Sequence, residues 1–398
     1  MEASPDRFLS RTVRDMPPSG IRRFFDMLNE MKDVISLTIG EPDFTTPEPI
    51  TRAAIASLEA GETHYTANGG IFELRELIAS DLEARHGVRY DPRTEIIITV
   101  GASEGLDASL RAVCQSGDEV IYHEPCFVAY APCIVLAGAT PVALPTTDKT
   151  DFRVTPPMIE AAITPRSKAI FLGYPNNPTG AVLDRSELEA IARLAEEHDL
   201  LVISDEIYER LTYGDHEHVA FSALPGMRER TVLIGGFSKS YAMTGWRIGY
   251  VAAPAALMAG IAKVHQYGIM CAPTAAQYAA IEALRSGEEY VKAMHDEYDR
   301  RRVLMTRRLN EMGLLCFEPR GAFYCFPNIQ AATGMDDEQF AQELLREEHV
   351  AVVPGSAFGA SGAGHVRACY ATAYEQIVEA MDRMERFVKR RRDAAASA

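Results

Sequence analysis

Leu200-Leu-Val-Ile-Ser204 is apolar at four consecutive positions and runs straight into Asp205-Glu-Ile-Tyr208. A short run without polar alternation leaves no face for water, so it reads as a strand buried on both sides. The pattern recurs at Glu95-Ile-Ile-Ile-Thr-Val100, Glu119-Val-Ile-Tyr122, Lys168-Ala-Ile-Phe-Leu172, Thr231-Val-Leu-Ile234 and Ile248-Gly-Tyr-Val251. Between two of these runs Leu188, Ile191, Ala192 and Ala195 fall on one helical face. Apolar strands separated by helices imply an α/β fold with a mainly parallel sheet and helices on both faces. Such a sheet holds its ligands outside the carboxyl ends of its strands.

The 398 residues exceed what one ordinary core organises, so two domains are expected. The C-terminal third reads as a smaller α+β unit. Ala322-Phe-Tyr-Cys-Phe326 and Val366-Arg-Ala-Cys-Tyr370 suit strands; Phe340, Leu344 and Leu345 mark one helix, and Ile377, Met381, Met384 and Val388 another. The expected division is an N-terminal segment 1–45 packing with the small domain, a large domain 46–290, and a small C-terminal domain 291–398. A long helix is expected to connect the two domains.

A net charge of −16 argues against nucleic acid or an anionic membrane surface as partner. No apolar run approaches the roughly 20 residues needed to span a bilayer. The first ten residues carry Glu2, Asp6 and Arg7 and lack the apolar stretch of a signal peptide, so a cytoplasmic protein is expected. Seven cysteines without a CxxC pair fit reduced thiols, with Cys126 a candidate pocket wall. His216 and His218 bring no further ligand pattern, so they read as loop residues and no metal is expected. The run Lys389 to Arg392 reads as the solvated end of the last helix, complementing its dipole.

Four features follow apolar strands, where a site belongs. Gly101-Ala102-Ser103 opens a helix with small residues, which lets backbone N–H groups approach an anion; a plain turn is the alternative. Asn176-Asn177-Pro178-Thr179-Gly180 is rich in turn formers and by itself reads as a turn. Asp205 at a strand mouth needs a cation, unless it caps a following helix. In Gly236-Phe237-Ser238-Lys239-Ser240, followed by Gly245-Trp246-Arg247, the lysine stands out because the chain has seven lysines against 33 arginines. It reads either as a Schiff-base lysine or as an ordinary exposed one.

Together these stretches resemble the fold-type I aminotransferases of class I/II. The resemblance lies in YPNNPTG (174–180), SDEIYE (204–209) and GFSKSYAMTGWRIGY (236–250). ISLTIGEPDF (35–44), THYTANGG (63–70), GAFYCFPNI (321–329), VAVVPGSAFG (350–359) and HVRACYAT (365–372) extend it over nearly the whole chain. It is strongest toward the branch of bacterial and archaeal aspartate and aromatic-amino-acid aminotransferases.

The resemblance implies pyridoxal 5'-phosphate as cofactor. Lys239 would bond its aldehyde and later shuttle a proton, and Asp205 would pair with the pyridine nitrogen. Tyr208 and Asn177 would hydrogen-bond the ring oxygen. Gly101, Ala102, Ser103, Ser238 and Arg247 would hold the phosphate end. Phe127 would stack on the ring, and Tyr65 would reach the phosphate of the neighbouring subunit in a homodimer with shared active sites. Arg367 would grip the substrate α-carboxylate, beside backbone at Ile39 and Gly40. The implied partners are small amino acids and 2-oxo acids.

One departure stands out: Gly235 and Gly236 precede Phe237 where some relatives carry Asn or a hydroxyl residue near the phosphate. Arg14, Arg22 and Arg23 lie in a stretch that could cover the site, although solvated charge is the simpler reading. The expected activity is transfer from an aromatic amino acid or aspartate to 2-oxoglutarate. A carbon–sulfur β-lyase sharing Lys239, Asp205 and Arg367 is the alternative, and a DNA-binding regulator on this fold is disfavoured by the acidic charge.

Overall fold

Twelve strands order the chain in a computed structural model that describes residues 5–17 and 33–396. They are β1 (Ile35–Ser36), β2 (Ile96–Thr99), β3 (Glu119–Glu124), β4 (Thr140–Pro145), β5 (Ser167–Gly173), β6 (Leu201–Asp205), β7 (Thr231–Gly236), β8 (Gly249–Ala252), β9 (Tyr324–Cys325), β10 (Val350–Ala351), β11 (Val353–Pro354) and β12 (Val366–Cys369). Seven form one sheet in the order β2-β8-β7-β6-β5-β3-β4. Strands β3 to β7 pair in parallel, whereas β8 runs antiparallel to both β7 and β2. Hence β2, β5, β6 and β7 all end on the same edge.

The central strands are buried on both faces, as their unbroken apolar runs require: Ile97, Val120, Ile170, Val202 and Ile234 are all essentially inaccessible. Helices cover the sheet. In Arg185–Glu197 the expected face of Leu188, Ile191, Ala192 and Ala195 is buried, and Asp184 with Glu187 forms a capping box at its start.

Helix Glu288–Glu311 leads into a different architecture. Strands β11-β12-β9 form a small antiparallel sheet; helix Asp337–Glu348 packs on β11 and helix Glu288–Glu311 on β9, while helix Tyr374–Ala396 lies against β10 and both of those helices. The N-terminal strand β1 joins this end of the molecule by pairing in parallel with β10.

The basic run near the C-terminus is exposed at Lys389, Arg390 and Arg392, as expected of a solvated helix end, but two of its arginines also make ion pairs. The helix continues to Ala396. Arg390 pairs with Glu347 and Glu348, and Arg391 with Glu343 and Glu347, so these charges bind one helix to its neighbour. Arg14 lies on the surface against Asp15, while Arg22 and Arg23 lie outside the described residues. All seven cysteines are free thiols. Cys126 is packed in the core and does not line the cavity described below. No helix among the described residues is long and apolar enough to cross a membrane.

Candidate active site

The shared edge of β2, β5, β6 and β7 opens into a cavity of about 330 Å³, closed on its other side by the 38–41 segment, Tyr324 and Arg367. Each strand end delivers one part of the lining. After β2, helix Gly101–Val113 begins with Ala102 and Ser103 in the wall. Gly101 itself sits just behind, with φ +72°, and an added Cβ there would lie 2.7 Å from Nη2 of Arg247. A glycine is therefore what lets that guanidinium lie over the helix N-terminus.

After β5, the 174–180 turn is clamped by Asn176, whose Oδ1 accepts from Thr179 N (3.1 Å) and Thr179 Oγ1 (2.8 Å). This leaves Asn177 to face the cavity, where its Oδ1 accepts from Arg367 Nη1 at 2.8 Å. The second guanidinium arm, Nη2, donates to Thr38 O at 2.5 Å. Arg367 is only 4% exposed, lies 4.5 Å over the Tyr324 ring, and its Nε has no partner among the described residues. A buried planar fork at a cavity wall suits a carboxylate that can take both arms.

Asp205 ends β6 with its carboxylate buried. No helix follows, so it is not an N-cap; instead Oδ1 accepts from Ile207 N at 3.2 Å, and Oδ2 from the Tyr130 hydroxyl at 2.8 Å. Burial pushes this carboxyl up to about 6, the mark of a carboxylate lacking a full counter-charge. Tyr208 lines the cavity and shares a 2.7 Å hydroxyl–hydroxyl hydrogen bond with Tyr324.

After β7, Phe237 is buried as an anchor, Ser238 is buried beside it, and Lys239 projects into the cavity. Its Nζ donates to Gly40 O at 2.5 Å and lies 5.6 Å from the ring centres of Tyr208 and Phe323. Desolvation lowers its ammonium to about 8, so far more of it is neutral and nucleophilic near physiological pH than of an ordinary lysine.

The fold thus brings Ile39, Gly40, Ala102, Ser103, Phe127, Asn177, Asp205, Tyr208, Ser238, Lys239, Arg247 and Arg367 around one cavity. Tyr65 is not among them: it is 81% exposed and lines a separate groove with Ile269 and Pro273. Tyr130 and Tyr324 were not singled out from the sequence. Tyr324 sits inside the quoted 321–329 stretch, and Tyr130 lies three residues after Phe127, a spacing that could have flagged it.

His216 and His218 do lie in a loop, but His218 is engaged, with its Nε2 2.8 Å from Glu206 Oε2. Glu206, Glu209 and His218 put ligand atoms within 4.8 Å of one another. Arg85 already donates twice to Glu209, and Glu206 accepts from Ser204 Oγ and Phe221 N, so protein groups meet these carboxylates.

The family profile for aminotransferase class I and II matches residues 32–384. An aspartate aminotransferase of Pyrococcus abyssi is 48% identical over 377 residues, covering 94% of this chain and 97% of that protein. Aromatic-amino-acid aminotransferase 2 of Thermococcus litoralis is 45% identical, covering 96% of this chain and 99% of its own. In three dimensions, an aromatic aminotransferase from Pyrococcus horikoshii superposes with a TM-score of 0.89 at 48% identity, over 92% of this chain and 99% of that one. These relatives are named for amino transfer and give the lyase alternative no support. With a fold-type I sheet, a buried lysine and a buried carboxylate lining one cavity, and full-length likeness to such proteins, this chain belongs to the class I and II aminotransferases and is an enzyme of amino-group transfer.

Proposed function

We propose that the chain is a cytoplasmic, homodimeric, pyridoxal-phosphate-dependent transaminase that moves the amino group of an aromatic L-amino acid or aspartate to 2-oxoglutarate. The observation that carries this reading is the convergence of Lys239, Asp205 and Arg367 on one cavity. The names of the Pyrococcus and Thermococcus relatives support the two donor classes.

The residues fit the cofactor. A cradle at Ala102 and Ser103 that a Cβ on Gly101 would disturb, with Arg247 above it, suits a phosphate. A buried carboxylate held up near 6 suits a protonated ring nitrogen. When bound, the cofactor supplies an electron sink for the charge left at the substrate Cα. Lys239 Nζ, lowered to about 8 by burial, would hold the cofactor at its aldehyde, and when released by the substrate amine it would serve as the base that moves a proton at the substrate Cα. Arginine could not do this, because guanidinium stays protonated. Arg367, held by Asn177, would orient the α-carboxylate and so select which bond at Cα reacts. Tyr208 and Asn177 would hydrogen-bond the ring oxygen, and Phe127, also in the cavity wall, would offer the ring a flat face.

The exposure of Tyr65 supports a role in the neighbouring subunit's site. The pairing of β1 with β10 supports assigning segment 1–45 to the small domain, and the change of architecture around helix Glu288–Glu311 supports the division of 46–290 from 291–398.

The test is a half-reaction screen of the cofactor-loaded protein against single amino acids, followed by absorbance. Rapid change with tyrosine, phenylalanine or aspartate, and stoichiometric glutamate when 2-oxoglutarate is added, is expected. Borohydride should fix the cofactor's mass on the peptide containing Lys239 and on none in Lys239→Arg. Pyruvate release without any 2-oxo acid, or label on another lysine, would overturn the reading.

A further inference from the structure

A carboxylate that must hold a cation is governed by what else hydrogen-bonds it, because each donor stabilises its charged form and lowers its basicity. Among the described residues Asp205 has two such donors, the backbone N–H of Ile207 on Oδ1 and the phenol of Tyr130 on Oδ2. The first comes with the turn; the second crosses 75 residues of sequence. We propose that Tyr130 is a positioning residue for amino transfer, its hydroxyl setting how strongly the Asp205 carboxylate competes for the proton on the cofactor's ring nitrogen. The inference rests on the assignment of Asp205 to that nitrogen.

Tyr130 is built into place. Its side chain is buried, its ring centre lies 4.2 Å from that of Phe171, and Phe127, which lines the cavity, meets it edge-on at 5.8 Å. The hydroxyl passes over Gly173, the last residue of β5 and the register partner of Asp205; a Cβ at Gly173 would collide with it. Glycine is therefore required there for the phenol to reach Oδ2.

Glu206 and Lys239 act on Asp205 across space, and Asp205, Cys126 and Tyr174 act on Tyr130. Burial and the neighbouring carboxylate hold the Tyr130 phenol well above its ordinary value, so it stays a donor throughout the working range.

Without this donor Oδ2 becomes more basic, and a proton shared between Asp205 and the ring nitrogen moves toward oxygen. The ring then carries less positive charge and draws the electron pair from Cα less strongly, so proton removal by Lys239 slows. Arg367 and Asn177, which bind substrate, are untouched.

Tyr130→Phe keeps the ring packing and deletes only the hydroxyl. In the cofactor-loaded enzyme kcat should fall about 10- to 100-fold, the scale of one hydrogen bond to a charged group, with KM changed less than about threefold. The acid limb of the pH profile should move to higher pH. In an Asp205→Asn background, Tyr130→Phe should add almost nothing, since the two act as one unit. An unchanged rate in Tyr130→Phe overturns the proposal. So does a lower rate with an unmoved pH profile, or losses that multiply in the double variant, since either means packing alone. If Asp205→Asn itself keeps the wild-type rate and spectrum, the assignment of Asp205 fails and takes the role of Tyr130 with it.

Discussion

Replacing Arg367 by alanine removes both arms of a buried fork. Its two hydrogen bonds, at 2.8 Å to Asn177 Oδ1 and 2.5 Å to Thr38 O, show where a substrate carboxylate would meet it, and 4% exposure means water screens little of the charge. Truncating one partner of a buried, hydrogen-bonded charge pair costs about 2–5 kcal/mol. At about 1.4 kcal/mol per tenfold, that is a loss in kcat/KM of about 30-fold to a few thousandfold. The assay is the single-turnover absorbance change with an amino acid and with the amine of the same side chain that lacks the carboxylate. Wild-type protein should prefer the amino acid strongly, and Arg367→Ala should lose that preference while reacting with the amine at a nearly unchanged rate. Arg367→Lys should recover only part, since an ammonium is a point donor and not a planar fork. A melting curve separates this effect from the stability lost by leaving Asn177 and Thr38 without their donor. If the variant keeps the wild-type ratio of amino acid to amine, Arg367 does not bind the carboxylate and the reasoning fails.

Three further outcomes are expected. Because Lys239 is lowered to about 8, the cofactor-free protein should bond pyridoxal phosphate at a rate that rises with pH up to about 8 and then levels, dropping about tenfold per unit below it; a midpoint near 10.5 in stopped-flow traces would contradict the burial argument. Asp205 is raised from 3.8 to about 6, so its contribution to cofactor-free stability is fully present below 3.8 and is lost as pH rises through about 6. Asp205→Asn should therefore raise cofactor-free stability at pH 8, by up to about 3 kcal/mol in denaturant titration, while removing the stabilisation that bound cofactor confers; a destabilised Asn variant would count against it. Gly101→Ala must adopt a left-handed φ at about 1–2 kcal/mol and push Arg247 aside, so it should cut the affinity advantage of pyridoxal phosphate over unphosphorylated pyridoxal by about tenfold, read by equilibrium titration; an intact advantage would remove Arg247 and this helix end from the phosphate site.

Much of this molecule was legible in its primary structure, because burial on both faces of a sheet demands apolar residues at every position and leaves a local trace. The runs at 96–99, 119–124, 167–173, 201–205 and 231–236 were readable for that reason, as were helices Arg185–Glu197 and Asp337–Glu348 from their spaced apolar faces. Lys239, Asp205, Asn177 and Arg367 were legible through the motifs that carry them. Strand order was not, since buried strands look alike and the antiparallel insertion of β8 between β2 and β7 depends on partners far apart in the chain. Ion pairing was hidden for a related reason. Arg390 and Arg391 sit at a solvated helix end, and their pairing appears only once helix Tyr374–Ala396 lies against Glu343, Glu347 and Glu348. Tyr130 likewise looks like any core aromatic, and only packing against Phe171 and the bare backbone of Gly173 aims its hydroxyl at Asp205. Residue type and periodicity are local properties of the chain, whereas the distance between a donor and an acceptor exists only after the chain has folded back on itself.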